Sequence, residues 1–136
     1  MLTIQSEEVT IQASSESVFE KLIVPANIES LLPEGKYSEW KADEKSCSFK
    51  LQGMYTVALE MIGKMPSSEI VWKSADGSAI PFHLKLQLQE NNGTSIAQLN
   101  CEADVNAFME MMVKGPLKAL FDSMARKLQR QFEPAA

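Results

Sequence analysis

The order of its hydrophobic patterns constrains this chain most. One strand-like run, Thr3 to Ala13, precedes two short helical patterns, six further strand-like runs and one long helical pattern that closes the 136 residues. Successive strands joined by short turns pair as an antiparallel sheet, and a lone amphipathic helix must bury its apolar stripe against that sheet. The layout predicts an α+β fold: a seven-stranded antiparallel sheet curved around the C-terminal helix, with two short helices after the first strand. A sheet that wraps a helix leaves an apolar cavity between them. At this length one domain spanning residues 1–136 is expected.

Local signals support each element. Val9, Ile11 and Ala13 share one face of the first strand. Ser14 or Ser15 caps a helix whose first turn holds Glu16, and Val18, Phe19, Leu22 and Ile23 recur at helical spacing until Pro25. Ala26 to Leu32 repeats that spacing with Ile28, Leu31 and Leu32, and Pro33 and Gly35 stop it. Tyr37 to Ala42 carries Trp40, and Cys47, Phe49 and Leu51 alternate up to Gly53. In Met54 to Met65 the odd positions Tyr55, Val57, Leu59 and Met61 are expected inward. Ile70, Val71 and Trp72 lie between the turns Pro66-Ser67-Ser68 and Asp76-Gly77-Ser78. Phe82, Leu84, Leu86 and Leu88 alternate with His83, Lys85, Gln87 and Gln89, which fixes their register. After Asn91-Asn92-Gly93, the small or apolar Ala97, Leu99, Cys101 and Ala103 face inward and leave space.

The final helix is expected from about Asn106 to Phe132, capped by Asp104 or Asn106 and roughly 40 Å long. Leu117, Leu120, Phe121, Met124, Leu128 and Phe132 form one stripe, with Lys118, Asp122, Arg126, Gln129 and Arg130 opposite. Gly115-Pro116 predicts a kink or a break, because proline lacks the amide proton and crowds the preceding turn. Ahead of it, Met109, Met111 and Met112 suit a flexible wall over a cavity, since methionine adapts to irregular space.

Charge and composition exclude several partners. A net charge of -5 argues against nucleic acid, whose phosphates require clustered Lys and Arg. No run of apolar residues is long enough to span a bilayer and no basic leader precedes an apolar core, so a soluble cytoplasmic protein without stable membrane insertion is expected. Cys47 and Cys101 lie far apart and read as free buried thiols.

The stretch VTIQASSESVFEKLIVPANIESLLPE, the Trp-bearing strand after it and the closing FMEMMVKGPLKALFDSMARKL resemble the helix-grip (SRPBCC) superfamily. That superfamily includes START domains, birch-pollen-allergen-like proteins, polyketide cyclases and small bacterial proteins similar to one of the carbon monoxide dehydrogenase subunits. The resemblance covers essentially the whole chain and implies a cavity for a lipid, sterol, polyketide, quinone or plant hormone. Some members are enzymes, with polar catalytic residues on inward strand positions or on the last helix. In this chain those positions are almost wholly apolar or small.

The catalytic inventory is correspondingly thin. His83 is the only histidine and faces away from the apolar side of its strand, so no zinc set can be assembled. Glu60, Glu102 and Asp104 point outward by strand parity, and Ser67, Ser68 and Ser74 have no imidazole beside them. Gly53, Gly63, Gly77 and Gly93 are isolated turn or bulge residues and form no phosphate loop. No catalytic residue, metal or cofactor is assigned. The expected activity is binding or transport of a small hydrophobic molecule, with a cyclase or hydratase and a non-ligand interaction module as rivals. The expected lining is Tyr55, Trp72, Phe82, Leu84, Leu86, Leu99, Cys101, Met109, Met112, Val113, Leu117, Leu120, Phe121 and Met124, with the Tyr55 hydroxyl and the Trp72 indole as polar handles.

Overall fold

The computed structural model describes residues 2–53 and 55–133. Its strands are β1 (Leu2–Gln5), β2 (Val9–Ile11), β3 (Tyr37–Ala42), β4 (Ser46–Leu51), β5 (Tyr55–Met65), β6 (Glu69–Ser74), β7 (Phe82–Asn91) and β8 (Thr94–Ala103). They form one antiparallel sheet in the order β1-β8-β7-β6-β5-β4-β3, with β2 also paired to β8. Helix α1 (Ser15–Leu22) and a 3₁₀ helix (Pro25–Leu31) follow β2, and α2 (Ala107–Gln131) closes the fold against the sheet.

The sheet has eight strands where seven were expected, because the first strand is broken. Leu2 and Ile4 are buried at even positions and Val9 and Ile11 at odd ones, so parity switches across Ser6-Glu7-Glu8. The partner strand shows the same extra residue: Gln5 pairs with Asn100, but Val9 pairs with Ala97. Ser6 fills the break. Its N–H donates to the Leu99 carbonyl at 2.8 Å, and its Oγ accepts from the Leu99 N–H at 2.9 Å. This buried side chain replaces the missing rung of the ladder.

Elsewhere the alternation holds. Phe82, Leu84, Leu86 and Leu88 are buried and sit across from Ala103, Cys101, Leu99 and Ala97, mostly large side chains against small. Asn92 and Gly93 both have positive φ, 53° and 85°, the geometry that matches a tight hairpin to strand twist. Met54 lies outside the described residues. From Tyr55 onward the odd parity is inward as far as a bulge between Met61 and Gly63, at which the unpaired Ile62 is exposed.

Ser14 caps α1 by accepting from the Ser17 N–H, and Asn106 caps α2 by accepting from the Met109 N–H at 2.9 Å. The first helix stops before Pro25, as expected, and Pro25 also opens the 3₁₀ turn, where its missing N–H costs nothing. The expected break at Gly115-Pro116 is absent, and α2 runs through it.

The two halves of α2 are held very differently. Toward its C-terminus, Asp122 Oδ1 accepts from the Glu7 N–H at 2.8 Å, and Arg126 pairs with the Glu7 carboxylate at 2.9 Å. Lys127 donates to the Leu32 carbonyl, Gln129 to the Thr10 carbonyl and Gln131 to Ser30. Among the described residues no side-chain hydrogen bond or ion pair ties residues 107–116 to another element.

Candidate functional site

Two apolar spaces lie between α2 and the sheet. The first, about 20 Å³, is lined by Leu22, Ile28 and Leu31 from the short helices, by Leu59, Trp72, Leu84, Leu86, Ala97, Gln98 and Leu99 from the sheet, and by Met124, Ala125 and Leu128. The second, about 30 Å³, is lined by Leu51, Tyr55, Thr56, Val57, Phe82 and Cys101 from the sheet, by Ser78, Ala79 and Ile80 from the loop between β6 and β7, and by Val113, Pro116, Leu117 and Phe121. On α2 their centres are separated by roughly 14 Å of helix rise. Each has room for about one or two water molecules, so side chains fill most of the interior.

The structure therefore divides the residues named from sequence. Trp72, Leu84, Leu86, Leu99 and Met124 meet at the first space, and Tyr55, Phe82, Cys101, Val113, Leu117 and Phe121 at the second. Leu120 is buried in the core and lines neither, and Met109 is half-buried against that core. Met112 is the correction: it is 42% exposed and lines neither space. It stands about 100° around the helix from the inward Val113, too far to share its direction. Phe108 and Met111 are also exposed, at 71% and 84%, and with Met112 and Gly115 they form a stripe on the side away from Val113.

Sequence reasoning missed the loop wall formed by Ser78, Ala79 and Ile80. Its signal was an apolar pair directly after a turn motif and before Pro81, where a solvated loop would be polar. Backbone hydrogen bonds hold the loop on β5: Ala75 N–H to the Ala58 carbonyl and Ala79 N–H to the Thr56 carbonyl, both 2.8 Å. The Ser78 Oγ is buried and has no hydrogen-bond partner among the described residues.

The chemistry available is mild. Tyr55, Thr56 and Ser78 line the second space, but its exposed surface is wholly apolar, and no carboxylate, imidazole or cation of the described residues lines it. Burial, reinforced by the Glu102 charge, pushes the Cys101 thiol up to about 12, so it is no nucleophile at neutral pH. His83 is exposed. Among the described residues no group of three or more His, Cys, Asp or Glu converges to hold a metal. No described helix is long and apolar enough to cross a membrane. Trp40 stacks on Phe49 with centroids 6.3 Å apart and takes no part in either space.

No family model matches the sequence, and no curated protein matches it. Solved structures match its shape. Protein XoxI from Bacillus cereus superposes with a TM-score of 0.76 at 13% identity, over 97% of this chain and 96% of that one. A START superfamily protein from Mycobacterium smegmatis gives 0.69 at 8% identity, over 96% of each chain. A point mutant of a Thalictrum norcoclaurine synthase, in complex with a transition-state analogue, gives 0.70 at 12% identity, over 97% and 96%. Identities this low speak of fold alone. The chain shares the fold of these solved structures, a helix-grip fold.

Proposed function

We infer that the protein binds a small hydrophobic molecule, such as a lipid, polyketide, quinone or sterol-like compound, in the second space. The N-terminal half of α2 moves outward to admit it. The observation that carries this reading is the uneven anchoring of that helix. Residues 107–116 contribute Val113 and Pro116 to the wall of the space, have no polar tie to a neighbouring element among the described residues, and include a proline with no N–H to give the Met112 carbonyl. Local openings draw on such weakly held segments. Every 100 Å² of apolar ligand surface buried would contribute about 2.5 kcal/mol toward the opening.

An enzyme reading gains Tyr55, which does line the space, but lacks a partner to accept or return its proton. An interaction module is favoured by a different pair of observations: the small enclosed volumes and the exposed Phe108, Met111 and Met112 stripe.

The test is native mass spectrometry on protein purified without detergent, followed by solvent extraction. One apolar molecule per chain is expected, with slower amide exchange in residues 107–116 when it is bound. A protein that is empty and takes up nothing from a total lipid extract overturns the ligand reading. If light scattering then shows a species larger than 15.1 kDa that Met111→Lys abolishes, the interaction module stands in its place.

A further inference from the structure

We propose that the free edge of β1 and the adjoining side of α2 form a docking groove for an extended acidic segment of a partner protein, which adds to the sheet as one more strand. The groove lies outside both apolar spaces, so the inference stands apart from the ligand reading. It is open, about 540 Å³ in volume, and runs between Thr3, Ile4 and Gln5 of β1 and Met111, Lys114, Gly115 and Lys118 of α2.

The strand supplies the hydrogen bonds. β1 ends the sheet, with β8 on one side and no strand on the other among the described residues. The Ser6 N–H bonds to the Leu99 carbonyl, and Ile4 and Leu2 follow in the same phase opposite Cys101 and Ala103. Backbone groups alternate in direction along a strand, so those of Thr3 and Gln5 turn away from β8. Such an edge is a template for another strand unless a proline, a charge or a bulge blocks it, and Leu2–Gln5 carries none of these.

The helix supplies the selectivity. The chain carries a net charge of -5, yet the only charged residues lining the groove are Lys114 and Lys118. Lys118 is shared with Asp122 at 3.0 Å, whereas Lys114 is exposed and makes no ion pair among the described residues. The two lysines are one helical turn apart, about 6 Å of rise, close to the spacing of about 7 Å between alternate side chains of a strand. Two carboxylates on one face of the incoming segment therefore meet both lysines, while an apolar residue beside them covers the exposed Met111. Gly115 leaves room for that side chain, since a Cβ at its position would meet no atom within 4 Å. On the outer face of the sheet Glu102 sits across from Thr3, which favours neutral residues at the intervening positions. A second copy of the chain is the poorer occupant, because pairing β1 with its own twin brings Lys114 and Lys118 of both copies together.

The probe is the labelled peptide Thr-Leu-Thr-Glu-Thr-Glu-Thr, with Thr-Leu-Thr-Lys-Thr-Lys-Thr as its control, titrated against the intact protein by fluorescence anisotropy. The acidic peptide is expected to bind about tenfold more tightly than the basic one. Lys114→Glu alters an exposed, unpaired side chain and should reverse that preference. Thr3→Pro removes an outward N–H and no rung to β8, so the urea midpoint should hold while binding of the acidic peptide falls about tenfold. Two N-methylated copies of the acidic peptide, one methylated at its Thr residues and the other at Leu and Glu, test the pairing without altering the protein. Only the copy whose methyl groups face β1 should lose binding. An acidic peptide that does not bind, or binds no better than the basic one, overturns the proposal. So does a preference unchanged in Lys114→Glu, or equal binding by both methylated copies. A dimer of the natural chain in light scattering that Thr3→Pro dissolves also overturns it, by showing that the edge belongs to a second copy.

Discussion

Leu117→Ala is the substitution that reports most directly on the second space. Leu117 is 8% exposed and lines it together with Val113 and Phe121. Truncating a buried leucine costs about 3 to 5 kcal/mol, the transfer term plus about 24 cal/mol for each Å³ of cavity that stays open. The removed side chain would merge with an existing space of about 30 Å³, and the wall beside it, residues 107–116, is able to settle inward. Partial collapse places the expected loss at the lower end, about 3 kcal/mol, or roughly 10 °C in Tm. The assay is urea unfolding followed by the fluorescence of Trp72, which is buried in the folded chain. What remains of the cavity should be apolar and dry, so benzene at about a hundred times its dissociation constant should restore about 2.7 kcal/mol. A loss below about 1 kcal/mol would show that Leu117 packs against nothing that matters. A full loss without benzene rescue would show that the two volumes do not join.

Three further outcomes follow from contacts already described. Burial raises the Asp122 carboxyl, but hydrogen bonds from Lys118 and the Glu7 N–H and the charges of Lys118 and Arg126 outweigh it and leave the group below its ordinary value. Its stabilising share is therefore complete above the unfolded carboxylate value of about 4 and fades as pH falls through the lower folded value. The stability gap between the natural chain and Asp122→Asn, measured by urea melts, should be flat from about pH 5 to 7 and close below that range. Cys47 and Cys101, both pushed up to about 12 chiefly by burial, should resist a thiol reagent at about pH 8 until urea unfolds the chain, when two thiols react. Asn106→Ala removes the cap of α2 and should cost about 1 kcal/mol in chemical denaturation.

The strands were legible because each is half-buried, so one face had to be apolar. Phe82 to Leu88 and Ala97 to Ala103 fixed their own register, and Asn92-Gly93 fixed the turn between them. The break in the first strand was not legible. It depends on Ser6 bonding to Leu99, 93 positions away, and on Glu7 reaching Asp122 and Arg126, contacts that local periodicity does not encode. Of the kink or break expected at Pro116, the break does not occur: the hydrogen bond proline forfeits belongs to Met112, an exposed residue, and the helix continues. The expected lining set was legible only in part: its strand positions face inward, but Met109, Met112 and Leu120 line neither space. Its division into two small volumes was not legible, since volume depends on how Leu84 meets Cys101 and Leu86 meets Leu99 across the sheet.

The unequal fastening of α2 also bears on how such a chain can change over generations. Glu7, Thr10, Ser30 and Leu32 secure its last turns, while Phe108 to Gly115 owe nothing to them. Substitutions in the opening turns can therefore accumulate with little risk to folding, and those at Val113 reshape the wall a ligand meets. A library randomised from Phe108 to Gly115 should return folded proteins of altered preference far more often than one randomised from Leu120 to Leu128.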